Sequence, residues 1–321
     1  MTTLTSEPSR LEPLFGININ PNAGGVKLAF DMARFADQSG IDLIGIQDHP
    51  YNGGFLDTWT LLTALGAATS NIRLFPNVAN LPLRPPAMLA KAAASLDIIT
   101  GGRIVLGLGA GAFWEGIAAY GGPRRTPGEA FQALEEAIQI MRLVWGSLGN
   151  ESTVSFAGKY YSLVEAQPGP RPSHSIGIWL GAIKPRMLRL IGRLADGWSV
   201  SLPYVPPEQI PESQRLIDEA AQEASRDPGV IRRNYNLGGM IQQTSQSTIR
   251  ARRPGILFGS VATWVETLVR FYTELGMDTF NFWPVPGNEL EQIRLFAQEV
   301  VPAAREQIEA VRTLSHRDKP G

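Results

Sequence analysis

The residues most able to do chemistry follow a predicted β-strand. Asp48 and His49 come directly after the apolar segment Leu43–Ile46. An imidazole whose pKa lies near neutral can give or take a proton or polarise a substrate oxygen, and a neighbouring carboxylate can orient its ring. We therefore predict His49 and Asp48 as a catalytic pair. A structural histidine at a strand end, beside an aspartate that caps a turn, is the alternative interpretation.

Two loops rich in small residues are candidates for cofactor binding. The first contains Gly107, Gly109, Ala110 and Gly111; the second contains Gly181, Ala182, Ile183 and Lys184. Glycine lets the backbone approach a flat ring or a phosphate closely. The second loop leads into a helix that begins with Pro185, and the free N–H groups of a helix N-terminus favour an anion. Ordinary strand-end turns would also explain both loops.

The first loop does not match the dinucleotide-binding fingerprint. Its third glycine comes one residue too early for G-x-G-x-x-G, and no acidic residue opens a following strand at the expected interval. The sequence therefore disfavours a Rossmann domain.

Aromatic residues near the same strand ends are candidates for a substrate pocket. They are Tyr51, Phe113, Trp114 and Trp283, with Phe55 close by. Aromatic side chains at loop tips often line a pocket, although packing beneath the loops would also account for them. A basic cluster, Arg250–Arg253, lies in a long polar loop and is either solvated or able to hold a substrate phosphate or an acidic tail.

The elements that must position these residues alternate along the chain. Apolar strands, the first at Leu14–Ile19, alternate with amphipathic helices, the first at Val26–Gln38. Eight such units follow one another, with a hairpin and loop inserted at about 151–175. This predicts an α/β fold, a single (β/α)8 TIM-like barrel spanning 14–308, whose strand ends converge on one face. Residues 1–13 are expected to form a loose extension and 309–321 a C-terminal tail.

Composition excludes several classes of protein. The chain has 321 residues, a net charge of −1, no cysteine and three histidines. The charge balance does not favour nucleic acid, and the missing thiols exclude disulfides and zinc–thiolate sites. Three scattered histidines disfavour a metal-dependent hydrolase, so we expect no metal site. Neither a signal peptide nor a membrane helix is evident in the sequence, so we expect a cytoplasmic protein with no membrane association.

From Phe15 to about Ile308 the chain resembles the bacterial-luciferase-like flavin and deazaflavin oxidoreductases. The resemblance rests on the segments IGIQDHPY (44–51), NVANLPLRPPAMLAKAAASLDIITGGRIVLGLGAG (77–111), GAIKPRMLRLIGRLADGW (181–198) and FNFWPVPGNELEQIRLFAQEVVPAAR (280–305). The motif G-A-x-x-P followed by L-x-G-R-x-A-D-G looks more like the branch that uses the deazaflavin coenzyme F420.

The resemblance implies a TIM-like barrel that binds F420 or FMN at its C-terminal face. Asp48 and His49 would match the pair beside the reactive ring, and the Gly181–Lys184 backbone would hold the cofactor phosphate. A non-proline cis peptide bond between Asn77 and Val78 would form a bulge behind the ring. This implication adds Asn77, Val78 and Ala79 to the cofactor-binding candidates.

One departure from the family concerns sugar-phosphate oxidation. The deazaflavin-dependent sugar-phosphate dehydrogenases carry a catalytic carboxylate after the strand-four glycine motif, where this chain has Ala112, with Glu115 three residues further on. This difference disfavours oxidation of a sugar phosphate, with the alternative that Glu115 takes the role if the loop differs from that of the family.

The sequence interpretation is an F420-dependent oxidoreductase that moves a hydride between cofactor and a small organic substrate. The alternative is an FMN-dependent monooxygenase that uses reduced flavin and oxygen, with a flavin reductase as partner. A barrel that binds a flavin without catalysis is a third possibility. By analogy with the family, a homodimer is also possible.

Overall fold

A parallel β-sheet closed into a ring forms the centre of the protein. The computed structural model describes residues 11–146, 152–242 and 255–317, with side chains to Thr313. The strands are β1 (Leu14–Ile19), β2 (Leu43–Ile46), β3 (Arg73–Pro76), β4 (Ala79–Asn80), β5 (Leu106–Gly109), β6 (Val154–Ala157), β7 (Ser162–Ala166), β8 (Ile178–Gly181), β9 (Gly197–Ser201), β10 (Arg232–Gln242), β11 (Ile256–Ser260) and β12 (Thr279–Pro284).

The strand order is that of an eightfold barrel. The sheet runs β3-β2-β1-β12-β10-β9-β8-β5-β4, with β11 added to β10. A parallel bridge between Leu74 on β3 and Ile104, just before β5, closes the ring. Without β4 and β11, eight parallel strands remain, so the predicted (β/α)8 barrel is confirmed. The β6–β7 pair is an antiparallel hairpin within the predicted insertion.

Helices surround the barrel. They are α1 (Val26–Gln38), α2 (Thr58–Ala67), α3 (Pro86–Thr100), α4 (Trp114–Ala119), α5 (Pro127–Val144), α6 (Pro185–Leu194), α7 (Ile210–Glu223), α8 (Val261–Thr273), α9 (Glu289–Leu295) and α10 (Val301–Arg317). A π-helical turn, Phe296–Val300, joins α9 to α10. Local sequence sets the boundaries: Thr126 and Glu129 form a capping box at the start of α5, and Gly101, with φ +71°, ends α3.

Residues on alternate positions of the strands serve two different cores. Phe15, Ile17 and Ile19 of β1 belong to the large cluster shared with the helices. A second cluster, which we place in the lumen at the N-terminal end of the strands, contains Leu14, Leu43, Phe75, Val105 and Trp179. This apolar plug closes the bottom of the barrel, so a ligand could enter the lumen from the C-terminal face.

The structure adds elements that the sequence patterns did not predict. β11, which pairs with β10, and the six-residue helix α4 were not predicted, and α10 runs to Arg317 rather than ending at Ile308. Arg312 on α10 pairs with Glu12 at 2.5 Å, which attaches the residues preceding β1 to this helix. In the described ranges, no helix is long and apolar enough to cross a membrane.

Candidate functional site

A network of side-chain amides fills the lumen above the apolar plug. Asn77 Nδ2 donates to Asn18 Oδ1 at 2.9 Å and to Asn236 Oδ1 at 2.6 Å. Asn77 Oδ1 accepts a hydrogen bond of 3.0 Å from Ser199 Oγ. The residue that follows β3 is thereby tied to β1, β9 and β10. These bonds fix the backbone at the mouth of the barrel because each partner sits on a different strand.

The peptide bond between Asn77 and Val78 is cis, as the resemblance implies. The side chain of Val78 packs among glycines of both predicted cofactor loops. A Cβ on Gly109 would lie 2.8 Å from Val78 Cγ2, and one on Gly181 would lie 3.2 Å from the same atom. A Cβ on Gly107 would meet the Pro76 carbonyl oxygen at 2.1 Å. A side chain at Gly107 or Gly109 would therefore clash with the segment after β3, and one at Gly181 would need a small shift of Val78, whether or not a ligand also approaches these glycines.

Small residues form one side of the opening of the barrel. Gly109, Gly181 and Gly238 are partly exposed there. Among the described residues, a Cβ on Gly238 would meet no atom within 4 Å, so this position borders open space there. The part of the rim formed by β10 thus leaves room for a flat ring, as a binding site for a flavin or deazaflavin must.

Hydrogen-bonded polar groups form another part of the rim. Gln47 Nε2 donates to Asn20 Oδ1 at 2.8 Å, and Trp283 Nε1 donates to the same oxygen at 3.2 Å. Trp283 thus joins the ends of β1 and β12. Its predicted place in a substrate pocket stays a prediction.

Asp48 is buried, and its carboxylate holds two segments together. Arg84 Nε donates to Oδ2 and Arg84 Nη2 to Oδ1, both at 2.7 Å, in a bidentate pair. The N–H of Asn80 donates to Oδ2 at 2.9 Å. This geometry links the end of β2 to the strand that follows Val78. Asp48 therefore acts as an anchor of the site, and its predicted catalytic role stays a prediction.

Arg84, which the sequence analysis missed, extends this link to α2. Its Nη2 also donates to Asp57 Oδ1 at 2.6 Å, and Asp57 caps the N-terminus of α2 by accepting from the Thr60 N–H. Arg84 lies between an apolar turn and two prolines, and this local sequence gives no sign of an ion pair with Asp48 and Asp57. The two carboxylates raise the pKa of the Arg84 guanidinium against the opposing effect of burial, so the charge is permanent.

His49 stands at the mouth of the barrel with Tyr51 as its partner. Nδ1 of His49 lies 2.7 Å from the Tyr51 hydroxyl oxygen. Much of the imidazole surface is accessible to solvent. The surrounding protein still desolvates the ring in part, and this lowers its pKa below 6.5 although the negative charge of Asp48 acts to raise it. Burial and the Asp48 charge raise the pKa of the Tyr51 hydroxyl, which therefore keeps its proton. At neutral pH this is a neutral imidazole hydrogen-bonded to a neutral phenol.

A cavity of about 450 Å³ opens beside this pair. Its lining residues are Gln47, His49, Tyr51, Asn52, Phe55 and Phe113. Tyr51 and Phe113 meet edge to face with ring centroids 5.2 Å apart. The structure thus brings His49, Tyr51 and Phe113 together, and adds Phe55, which the sequence analysis only placed nearby.

Residues of the α4 region other than Phe113 are not among the residues that line this cavity. Trp114 begins α4, and its ring would lie 2.9 Å from a Cβ on Gly111. Ala112 is exposed, and Glu115 pairs with Arg124 at 3.4 Å with both side chains largely in solvent. Trp114 as a pocket residue and Ala110 and Gly111 as cofactor residues stay predictions.

The loop Gly181–Lys184 presents exposed residues before a helix. Ala182 is buried and its carbonyl oxygen accepts from Trp198 Nε1 at 2.8 Å, whereas Ile183 and Lys184 are exposed. Pro185 begins α6 as predicted. Ala79 is fully buried on β4, which places its side chain away from solvent. Phosphate binding by this loop stays a prediction.

Two remaining expectations concern charge and metals. The basic cluster Arg250–Arg253 lies outside the described residues. Among the residues that the structure describes, no group of three or more histidine, cysteine, aspartate or glutamate side chains could hold a metal ion.

Comparisons with known proteins agree with the barrel. The chain is 28% identical over 218 residues to the F420-dependent glucose-6-phosphate dehydrogenase of Microbacterium testaceum, an alignment covering 66% of this chain and 63% of that protein. It is 31% identical over 214 residues to the 5,10-methylenetetrahydromethanopterin reductase of Archaeoglobus fulgidus, covering 66% and 59%. The alignments therefore span less than two thirds of either relative.

A solved structure matches nearly the whole chain. It is the F420-dependent secondary alcohol dehydrogenase in complex with an F420-acetone adduct, with a TM-score of 0.79, 18% identity, and coverage of 92% of this chain and 99% of that one. At this identity the likeness concerns the fold. The model of the luciferase-like monooxygenase family matches residues 15–300. Because that match covers most of the sequence, as the resemblance of its motifs predicted, the chain belongs to the luciferase-like monooxygenase family.

Proposed function

We propose that this protein is an oxidoreductase that uses coenzyme F420 to transfer a hydride to or from a small organic substrate. The observation that carries the proposal is His49, a neutral imidazole held by Tyr51 at 2.7 Å on the wall of a cavity beside the barrel mouth. A neutral imidazole can accept one proton from an alcohol, and the imidazolium can return it to a carbonyl oxygen, as interconversion of the two requires.

The residues at the mouth fit a flat cofactor. Gly238 borders open space, and Gly109 and Gly181 pack around Val78 on the part of the rim formed by β5 and β8. We assign the ring to this side and the phosphate to the Gly181–Lys184 backbone ahead of α6. Coenzyme F420, when bound, would carry the hydride. The protein supplies orientation and exclusion of water.

His49 would manage the proton of the reaction. When Nδ1–H donates a hydrogen bond to the Tyr51 hydroxyl oxygen, the lone pair of Nε2 is left for the substrate. That nitrogen would accept the hydroxyl proton of an alcohol during oxidation, and the resulting imidazolium would return the proton to a carbonyl oxygen during reduction. Asp48 and Arg84 would keep the backbone under His49 in place, because their bidentate pair fixes the end of β2.

The names of relatives support F420 as the cofactor. The Microbacterium relative is named as F420-dependent, and the matching solved structure is described as bound to an F420-acetone adduct. The alternative is an FMN-dependent monooxygenase, and a single binding experiment separates the two.

The test is titration of the apoprotein with F420 and with FMN, followed by cofactor fluorescence. We expect F420 to bind at least about tenfold more tightly than FMN, a difference of about 1.4 kcal/mol. Gly238→Val should weaken F420 binding, whereas Gly128→Val should not. Gly128 is the matched control because a Cβ there also meets no atom within 4 Å. Preference for FMN would contradict the proposal and favour the oxygen-dependent alternative.

A further inference from the structure

The cavity beside His49 restricts the charge of its ligand. Its lining comprises Gln47, His49, Tyr51, Asn52, Phe55 and Phe113. With His49 neutral, none of these lining residues carries a formal charge. A phosphate group carries about −1.5 to −2 charges at neutral pH, and burying such a charge without a cation is costly. The described part of this cavity is therefore poorly matched to a phosphorylated substrate.

Nearby charges are already paired. The Arg84 guanidinium contacts Asp48 at 2.7 Å and Asp57 at 2.6 Å. Arg124 pairs with Glu115 at 3.4 Å. The Nε and Nη2 groups of Arg84 that contact these carboxylates could bind an anion only by leaving the buried Asp48 charge uncompensated.

The apolar part of the cavity is aromatic and accessible. Phe113 is 53% exposed although its ring meets Tyr51 edge to face. Its accessible ring surface, with Phe55 in the same wall, can pack against a flat or apolar body. His49 is the titratable group of this wall whose pKa allows proton transfer near neutral pH.

We propose that the substrate is an uncharged carbonyl compound, or the corresponding alcohol, with a flat apolar body that packs on Phe113 and a single oxygen that faces His49. This inference rests on the proposed function for the assignment of the reacting oxygen. It names a substrate class different from that of the sugar-phosphate dehydrogenase among the relatives, in agreement with Ala112 at the position of the carboxylate in that branch.

The test is ligand binding measured by saturation-transfer NMR on the protein with and without F420. Acetophenone serves as the neutral probe and glucose 6-phosphate as the charged probe. We expect acetophenone to bind more tightly than glucose 6-phosphate by about tenfold or more, and Phe113→Ala to weaken acetophenone binding by about threefold to tenfold. Tyr120→Ala is the matched control, because Tyr120 is 55% exposed and is not a lining residue.

Two outcomes would overturn the substrate class. One is tighter binding of glucose 6-phosphate than of acetophenone, and the other is an equal effect of Phe113→Ala and Tyr120→Ala. The F420 titration on the same preparations keeps the two proposals apart. If F420 binds and acetophenone does not, the substrate class fails while the cofactor stands. If acetophenone binds through Phe113 and F420 does not bind, the cofactor assignment fails while the pocket assignment stands.

Discussion

The Tyr51 hydroxyl oxygen lies 2.7 Å from Nδ1 of His49, two residues earlier in the chain. This contact decides which ring nitrogen is turned to other partners, because Nδ1 is occupied within the protein. The edge-to-face packing of Tyr51 on Phe113 supports the phenol from its other side. His49 and Tyr51 therefore form a unit in which one residue would move a proton and the other would hold its ring.

Replacing Tyr51 with phenylalanine should slow turnover and leave F420 binding unchanged. The variant keeps the aromatic packing on Phe113 and removes only the hydroxyl that contacts Nδ1. We expect kcat to fall by about tenfold to a hundredfold, a fraction of a general acid–base contribution. Steady-state kinetics with a parallel F420 titration measures this. Tyr120→Phe should have no effect, and an unchanged kcat in Tyr51→Phe would remove Tyr51 from the mechanism.

The protonation of His49 should occur below pH 6.5, since partial desolvation lowers its pKa from that value. Histidine proton resonances, assigned with a His49→Gln variant, would report the midpoint. Between the two pKa values the unfolded chain binds more protons than the folded protein. The free energy of unfolding contributed by His49 therefore falls as the pH drops below 6.5 through the folded-state pKa. A midpoint above 6.5 would show that attraction by Asp48 dominates instead.

Replacing Arg84 with methionine should destabilise the fold. Asp48 would keep the Asn80 N–H but lose the bidentate guanidinium, which leaves a buried carboxylate without its cation. Loss of one partner of a buried pair costs about 3–5 kcal/mol. Denaturant unfolding measures the change. Arg124→Met breaks an exposed pair with Glu115 and should cost about 0–1 kcal/mol. Equal effects of the two substitutions would contradict the anchoring role.

An alanine at Gly107 should be tolerated poorly, because its Cβ would approach the Pro76 carbonyl oxygen to 2.1 Å. Overpacking of this kind costs about 1–3 kcal/mol. Gly238→Ala places the same methyl group on β10, where no atom of the described residues lies within 4 Å, and should leave the unfolding free energy nearly unchanged. Thermal and denaturant unfolding would measure the stability of both variants. Equal stability of Gly107→Ala and Gly238→Ala would contradict the clash and show that the segment around Val78 can move aside.

Strand and helix periods were enough to predict the barrel, because each βα unit carries its own pattern. Leu14–Ile19 and Val26–Gln38 have the predicted bounds, and α6 begins at Pro185 as predicted. Apolar runs ended by glycine or proline locate such elements without tertiary information. β11 was missed because it lies between a long polar segment and α8, and α4 was missed because its six residues make fewer than two helical turns.

The site was predicted less completely, because its contacts join residues far apart in sequence. His49, Tyr51 and Phe113 line one cavity, and their predicted roles stay predictions. Apart from Asn77, the amide side chains of this network were missed, although Asn18 and Asn20 recur at a spacing of two in β1 and just beyond it, as do Asn234 and Asn236 in β10. Such spacing indicates side chains on one face of a strand. No local pattern predicts that Arg84 binds Asp48, because that pair forms only when the strands are assembled.

The most direct test of the account is anaerobic turnover with reduced F420 and acetophenone. We predict that reduced F420 is oxidised as 1-phenylethanol forms, with one alcohol produced for each cofactor consumed and no requirement for oxygen. His49→Gln should abolish most of this turnover while F420 still binds. Turnover that needs oxygen and proceeds with reduced FMN, but not with reduced F420, would contradict the account.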